Sequence, residues 1–215
     1  DDNSKVAMFE NGEVDAIEQI SSQYFGHLNE YLNSFVGGGI MFLWINQQGT
    51  SPETAALLSN QNFRQALNYG FDRSATVNAV NPGYKAYNRL VDSNFAGPDG
   101  GKFVDEYPVE TVPLSGDVDK AKEYLAAAME ELGYSDVSQL PQLELITWDT
   151  SEQKLLLETI IDQWKQNLGL ENIQLTQYVI GTAIGSFYDL SYDLFAITWE
   201  TDVLPTDIME AMVTG

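Results

Sequence analysis

The sequence predicts an α/β fold, and three observations support that prediction. From residue 143 to residue 199 the apolar spacing reads as strand, helix, strand, helix, strand, which is the order that produces α/β layering. The last of these strands has apolar residues on both alternating sets of positions, which is typical of a strand covered on both faces of its sheet. With 215 residues and a hydrophobic fraction of 44%, the chain can bury a core without disulfides or metals.

In the first half of the chain, apolar spacing and turn residues predict a series of short elements. Helices are assigned where apolar residues recur at helical spacing, and strands where they alternate or run together. The predicted elements are a helix over residues 3–10, strands over Val14–Ile20, Tyr31–Val36 and Ile40–Asn46, a helix over Asn62–Gly70, a helix that Asp72 opens and that runs to Val80, and a long loop that ends at Gly116.

In the second half, capping residues mark where each helix begins and ends. A helix is expected to start after a capping Asp or Ser and to stop at a glycine, and strands are again read from alternation. The predicted elements are a helix capped by Asp117 and ended by Gly133, a strand over Leu143–Trp148, a helix capped by Ser151 and ended by Gly169, and strands over Asn172–Val179 and Leu194–Trp199.

Charge and composition exclude several classes of partner and site. The chain has 10 Lys and Arg against 32 Asp and Glu, a formal net charge of −22, whereas nucleic acid and anionic membranes attract clustered cations. The absence of cysteine excludes disulfides, thiolate zinc sites and a thiol nucleophile. No apolar run approaches the ~20 residues that span a bilayer, and no signal-peptide apolar region opens the chain. We expect a piece cut from a longer protein.

Catalytic signatures are missing from the sequence. A single histidine, His27, excludes a histidine pair for a zinc protease, and there is no Gly-x-Ser-x-Gly elbow. The 32 carboxylates supply many chance pairs, so none can be singled out as a glycosidase pair. We therefore expect no enzyme, no cofactor and no metal site.

Three segments of the sequence, taken together, resemble a known family. Asn46 follows an apolar strand and precedes the helix pair of residues 62–73; residues 126–134 read Ala-Ala-Ala-Met-Glu-Glu-Leu-Gly-Tyr; and residues 192–199 read Tyr-Asp-Leu-Phe-Ala-Ile-Thr-Trp, followed by Asp202 and Pro205. Their order and spacing are similar to those of the family 5 extracellular solute-binding proteins of ABC importers. The long loop of residues 84–106 looks most like the oligopeptide-binding lipoproteins of that family.

The resemblance implies a fold, a set of partners and a location. The implied fold is a mixed sheet flanked by helices, one lobe of a type II periplasmic-binding-protein-like fold. Residues 1–215 would form a single ligand-binding lobe, inserted in the middle of a longer two-lobe protein. The implied partners are an oligopeptide ligand and the ABC permease subunits in the membrane, with the fragment itself monomeric. The implied location is extracellular, anchored through a lipidated N-terminus that this chain does not contain, or periplasmic.

The resemblance also implies where the ligand binds. The strand end at Thr198, Trp199 and Glu200 would offer backbone N–H and C=O groups to the main chain of an extended peptide. Trp199 would add an apolar wall, and Asp202 would pair with the peptide α-ammonium group. Asn46 would hydrogen-bond a loop that shapes the cleft. The alternative is that Trp199 belongs to the core and Asp202 to an exposed turn.

Two questions stay open at this point. A second function class, a secreted acidic glycoside hydrolase or carbohydrate-binding fragment, is suggested by the many carboxylates and aromatic residues. Within the solute-binding reading, the ligand could be a peptide, nickel, a sugar or a pheromone. Arg64, Asp72 and Arg73 are interpreted as ion pairs that fix a helix against the sheet.

Overall fold

The computed structural model describes residues 2–18, 20–33, 39–81 and 83–200, with the backbone alone for residues 199 and 200. Helices and strands alternate through the second half, as the sequence predicts. The elements are α1 (Asp2–Glu10), β1 (Gly39–Ile45), α2 (Pro52–Ser59), α3 (Gln61–Tyr69), α4 (Arg73–Val80), α5 (Phe103–Glu106), α6 (Val118–Leu132), β2 (Leu143–Trp148), α7 (Ser151–Leu168), β3 (Ile173–Tyr178), α8 (Ile180–Tyr188) and β4 (Leu194–Glu200), with 3₁₀ turns at Ser22–Tyr24, Asn29–Tyr31 and Val137–Gln139.

The described strands form one mixed sheet in the order β1-β4-β2-β3. β2 is parallel to both β3 and β4, and β1 runs antiparallel to β4 along its whole length, from Gly39 opposite Glu200 to Ile45 opposite Leu194. The long parallel connections are helical, because parallel strands cannot be joined by a tight turn. The α/β class and the mixed sheet flanked by helices are therefore confirmed.

The main core lies between one face of the sheet and helices α3, α6 and α7. Trp164 of α7 is fully buried there, and its indole Nε1–H donates to the carbonyl of Leu67 at 2.8 Å, so its one polar atom is satisfied. Phe71 meets the indole edge-on with ring centroids 5.9 Å apart. The amphipathic patterns of α6 and α7 face this core, and a left-handed glycine ends each helix, Gly133 and Gly169.

A second, smaller cluster covers the other face of the sheet under α8. Its buried members are Ile146, Ala183, Tyr192, Phe195 and Ile197, with the aromatic side chains of four further residues packed against them: Trp44, Trp148, Tyr178 and Phe187. β4 contributes to both clusters, because Leu194 and Ala196 belong to the main core. Its apolar residues on both faces are thus explained by burial on both sides.

Several elements of the first half differ from the sequence prediction. Val14–Ile20 contains no described strand, and Tyr31 closes a 3₁₀ turn rather than opening a strand; residues 34–38 lie outside the described ranges. An apolar alternation of a few residues forms a strand only where a neighbouring strand can pair with it. Helix α2 was not predicted, and the cap of α7 is Thr150 rather than Ser151.

The predicted ion pairs of Arg64, Asp72 and Arg73 are wrong. Arg64 Nη1 donates to the carbonyl of Leu58 at 2.8 Å, and Arg73 Nη1 to the carbonyl of Asn68 at 3.1 Å. Asp72 instead caps α4, accepting from the backbone N–H of residue 75 at 2.8 Å. The two guanidinium groups therefore bind carbonyls at the ends of α2 and α3, which those helices leave without a partner.

No helix in the described ranges has both the length and the apolar character needed to cross a membrane.

Candidate functional site

The amino end of β4 is held to β2 and to the loop that follows β1 by a buried carboxylate. Asp193 is 2% exposed. Its Oδ1 accepts from the backbone N–H of Thr50 at 2.9 Å and from the Thr50 hydroxyl at 2.8 Å, and its Oδ2 accepts from the backbone N–H of Glu144 at 3.1 Å. These three bonds satisfy the buried charge without a cation, because each donor points a partial positive charge at it. We call Asp193, Thr50 and Asn46 the amino-end joint.

Asn46 completes this joint. Its Nδ2 donates to the carbonyls of Leu190 and Tyr192 at 3.0 and 2.9 Å, and its Oδ1 accepts from the backbone N–H of Gln48. Leu190 has a positive φ of 53°, and the bond from Asn46 supports this unusual turn. Asn46 thus does hydrogen-bond a loop, the one that precedes β4. It is level with Asp193, five residues or about 17 Å along β4 from Thr198, so the structure does not bring these two predicted site residues together.

The carboxyl end of β4 extends past the end of its neighbour β2. The ladder between them pairs Leu145 with Leu194 and Ile146 with Phe195, and β2 ends at Trp148. If this register continues by two residues, Trp148 is level with Ile197. β4 nevertheless continues to Glu200, and within the described residues this extension pairs with β1 alone. We call residues 198–200 the β4 overhang; on its side towards β2, no other described strand pairs with its backbone.

The predicted site residues lie on or after this overhang. Thr198 is half-buried and pairs with Met41, while the backbones of Trp199 and Glu200 pair with Ile40 and Gly39. The side chains of Trp199 and Glu200 lie outside the described part of the chain, and so does all of Asp202. Their predicted roles therefore stay predictions.

The turn after β2 brings an additional carboxylate to the same edge of the sheet. Asp149 is exposed and follows Trp148 directly, and its backbone N–H donates to the carbonyl of Tyr178 at 2.8 Å. The Gln177 amide donates to the Thr150 carbonyl at 3.1 Å, which braces the turn from β3. Ligands of open α/β sheets bind at the carboxyl ends of the strands, which is where Asp149 lies. Sequence reasoning missed it, because nothing local indicates where β2 ends relative to β4.

A second carboxylate beside this edge is already engaged. Glu152, in the first turn of α7, accepts from Asn81 Nδ2 at 3.0 Å. Partial burial, followed by the nearby Glu152 carboxyl, raises the pKa of Tyr84. The bond from Asn81 fastens the end of α4 to α7. Within the described residues, the carboxylate of Asp149 has no hydrogen-bond or ion-pair partner, so this exposed group can receive a cation.

Among the described residues, no group of three or more His, Cys, Asp and Glu side chains could hold a metal ion. The described edge offers open backbone groups, an exposed carboxylate and apolar side chains. This arrangement suits binding of an extended polar chain through its backbone.

The sequence of this chain is similar to that of a bacterial peptide-binding protein. The oligopeptide-binding protein OppA of Bacillus subtilis (strain 168) is 28% identical over 145 residues, which is 67% of this chain. The chain spans 25% of the length of that relative. This relative gives no support to the alternative of a glycoside hydrolase.

Solved structures share the fold. The peptide-bound OppA of Listeria monocytogenes matches with a TM-score of 0.80 at 20% identity, covering 99% of this chain and 41% of that one. The pheromone receptor PrgZ, whose mode of peptide binding has been described, matches with a TM-score of 0.79 at 22% identity, covering 100% and 41%. These likenesses establish the fold.

The family model named for the middle region of the family 5 bacterial extracellular solute-binding proteins matches residues 1–213, almost the whole chain. The resemblance that the sequence motifs suggested is thereby confirmed: the chain belongs to the family 5 bacterial extracellular solute-binding proteins.

Proposed function

We propose that this chain is the ligand-binding lobe of the substrate-binding component of an ABC importer and that it captures extended oligopeptides. The proposal rests on the β4 overhang, where the backbone of β4 continues past the end of β2. An extended peptide that pairs with it takes the line of β2 and adds a short strand to the sheet. Main-chain hydrogen bonds of this kind give affinity that does not depend on the peptide's sequence. The names of the Bacillus and Listeria relatives support a peptide as the ligand.

Charged and apolar groups at the same edge fix the peptide's direction. Asp202 follows the overhang and pairs with the peptide α-ammonium group; a buried cation without a partner would cost several kcal/mol. Trp199 supplies an apolar wall for ligand side chains. Asp149 adds negative charge along the line of the bound strand. Asn46 acts at a distance, by holding the loop that leads into β4.

The lobe works as one half of a clamp. The chain spans about two fifths of the matched solved structures, so we propose that residues 1–215 are the lobe inserted in the middle of a two-lobe protein that closes on its ligand. The closed form delivers the peptide to the ABC permease subunits in the membrane. The protein is extracellular, held at the membrane by a lipidated N-terminus, or periplasmic. It acts as a monomer, without catalysis or cofactor.

Calorimetry on the full-length two-lobe protein tests this proposal. A mixture of short peptides should bind with release or uptake of heat and saturate, whereas a mixture of oligosaccharides should not bind. Binding of the sugars without the peptides would refute the proposal. Nickel and a single sugar, titrated separately, check the other ligands that the family resemblance leaves open.

The isolated 215-residue chain provides the matched control. It lacks the contacts of the second lobe and the closing motion, so its affinity should be weaker than micromolar. Micromolar or tighter binding by this chain alone would contradict the two-lobe mechanism while leaving peptide binding intact.

A further inference from the structure

A corner of exposed apolar side chains lies at the carboxyl edge of the sheet, where β3 passes into α8. Val179 is 69% exposed and Ile180 is 60% exposed, and the half-buried Trp148 and Tyr178 adjoin them. We call these four residues the apolar corner. Helix α8 carries no charged residue, in a chain with 32 acidic ones. Contiguous exposed apolar surface of sufficient size marks binding sites in soluble proteins.

Folding does not require apolar residues at this corner. α8 packs on the sheet through Ala183, which is fully buried, and through Phe187. Val179 occupies the N-cap position, where it makes no side-chain hydrogen bond and where Ser, Thr, Asp or Asn would stabilise the helix by about 1 kcal/mol. Five other helices of the described part use such a cap: Ser51, Asn60, Asp72, Asp117 and Thr150. The fold itself therefore does not explain an exposed valine at the N-cap of α8.

The corner lies opposite the β4 overhang, across the line of β2. Tyr178 pairs with Trp148, and the register of β2 with β4 brings Trp148 level with Ile197. Val179 is therefore level with Thr198 and two strand spacings across the sheet from it, about 10 Å away. Asp149 continues the line of β2 between them, so a peptide strand that pairs with the overhang would begin just beyond Asp149 on the same line. Trp148 and Tyr178 belong to the α8 side of the sheet, so side chains that point to that side of the peptide would meet the corner.

We propose that the apolar corner selects peptides that carry a large apolar side chain at the position facing α8. This inference rests on the proposed function and deepens it, because it names the ligand class. The overhang binds any peptide backbone, whereas the corner adds affinity only when an apolar side chain covers Val179 and Ile180. Contact with an apolar side chain removes exposed surface of both partners from water, and the gain scales with the area removed.

Calorimetry with defined peptides on the full-length protein tests the inference. The probes are pentaalanine, its derivatives with a single leucine at each position, and the matching serine derivatives. At one position the leucine peptide should bind about tenfold or more tighter than its serine counterpart. The double variant Val179→Ser with Ile180→Ser should reduce this ratio to below about threefold and should weaken binding of pentaalanine less than binding of the leucine peptide. Serine at residue 179 suits an N-cap, so the variant should fold.

Tyr188→Ser is the matched control. Tyr188 is 71% exposed on the same helix but lies eight residues from Ile180, about 12 Å along the axis, and its loss should leave the leucine preference intact. The inference is overturned if peptides bind without a leucine preference, if the preference survives the double variant, or if Tyr188→Ser abolishes it equally. In each of those cases the proposed function stands. If no peptide binds at all, the proposed function fails and this inference fails with it.

Discussion

The two ends of β4 differ in how their polar groups are satisfied. At the amino end, Asp193 and Asn46 are 2% and 5% exposed, and their side-chain polar atoms are satisfied by protein groups. At the carboxyl end, Asp149 is exposed, Val179 projects into solvent, and the backbone of the overhang pairs on one side. One end uses its hydrogen-bonding groups within the protein, and we propose that the other keeps such groups for a ligand.

Because of this difference, we expect the amino end of β4 to affect stability and the carboxyl end to affect ligand binding. About 20 Å lies between the two ends, and substitutions more than about 10 Å apart that share no partners usually have additive effects. Changes at the amino-end joint should therefore alter the free energy of unfolding, and changes at the carboxyl end should alter ligand affinity. The following predictions test that separation.

The largest effect is expected from Asp193→Ala. The substitution leaves the Thr50 hydroxyl and the backbone N–H of Glu144 without their acceptor, whereas the backbone N–H of Thr50 keeps Thr54 Oγ1 at 3.0 Å. We expect a cost of about 2 to 4 kcal/mol in the free energy of unfolding. Urea denaturation of the 215-residue chain measures it. Asp193→Asn is the control, because one oxygen can still accept from Thr50 while the amide turns a donor towards Glu144 N–H; it should cost less. A loss below about 1 kcal/mol for the alanine variant would show that the joint is not a stabilising feature.

The second effect concerns the carboxyl end. Asp202→Asn in the full-length protein should weaken binding of a peptide with a free amino group by about 30- to 100-fold, because the α-ammonium group loses its charge partner. The free energy of unfolding should stay within about 0.5 kcal/mol of the wild type, because the proposed partner of Asp202 is the ligand and not another group of the protein. The same peptide with an acetylated amino terminus should bind wild type and variant equally. Equal losses for both peptides would place the ammonium group elsewhere.

Local signals in the sequence predicted most of the second half of the fold. The cap at Asp117 and the stop at Gly133 frame α6 as predicted, and β4 was predicted from its apolar residues on both faces. These signals work because caps and periodicity are properties of neighbouring residues. Helix α2 had a readable signal too, since Ser51 before a proline is a typical helix start, but the helix is short.

The candidate site was predicted only in part, because it depends on pairing between distant segments. The motif at residues 192–202 indicated β4 and its carboxyl end, but it did not separate Asp193, which is structural, from the residues of the overhang. Asp149 and Val179 come to the same edge through the register of β2, β3 and β4. Register is set by contacts between strands tens of residues apart, which no local pattern contains. The false strand at Val14–Ile20 has the same cause.

A smaller effect is expected from Asn46→Ala. The carbonyls of Leu190 and Tyr192 lose their donor, at a cost of about 1 to 2 kcal/mol in the free energy of unfolding. Asn46→Asp should cost more, since it turns a carboxylate oxygen towards the same carbonyls. Peptide affinity of the full-length protein should change less than twofold in the alanine variant. If affinity falls instead while stability holds, Asn46 shapes the cleft directly and the two ends of β4 are coupled.

The smallest effect is expected from Thr198→Val at the overhang itself. If the peptide is held by backbone N–H and C=O groups, replacing the hydroxyl by a methyl group of similar volume leaves those groups in place. Calorimetry on the full-length protein should then give a change in Kd of less than about threefold, because a single hydrogen bond to a charged group would be worth about 1.5 to 3 kcal/mol and its loss would exceed that limit. A loss above tenfold would mean that the hydroxyl of Thr198 binds the ligand. In that case recognition at the overhang would depend on side chains, and a peptide strand along β4 would not explain the affinity.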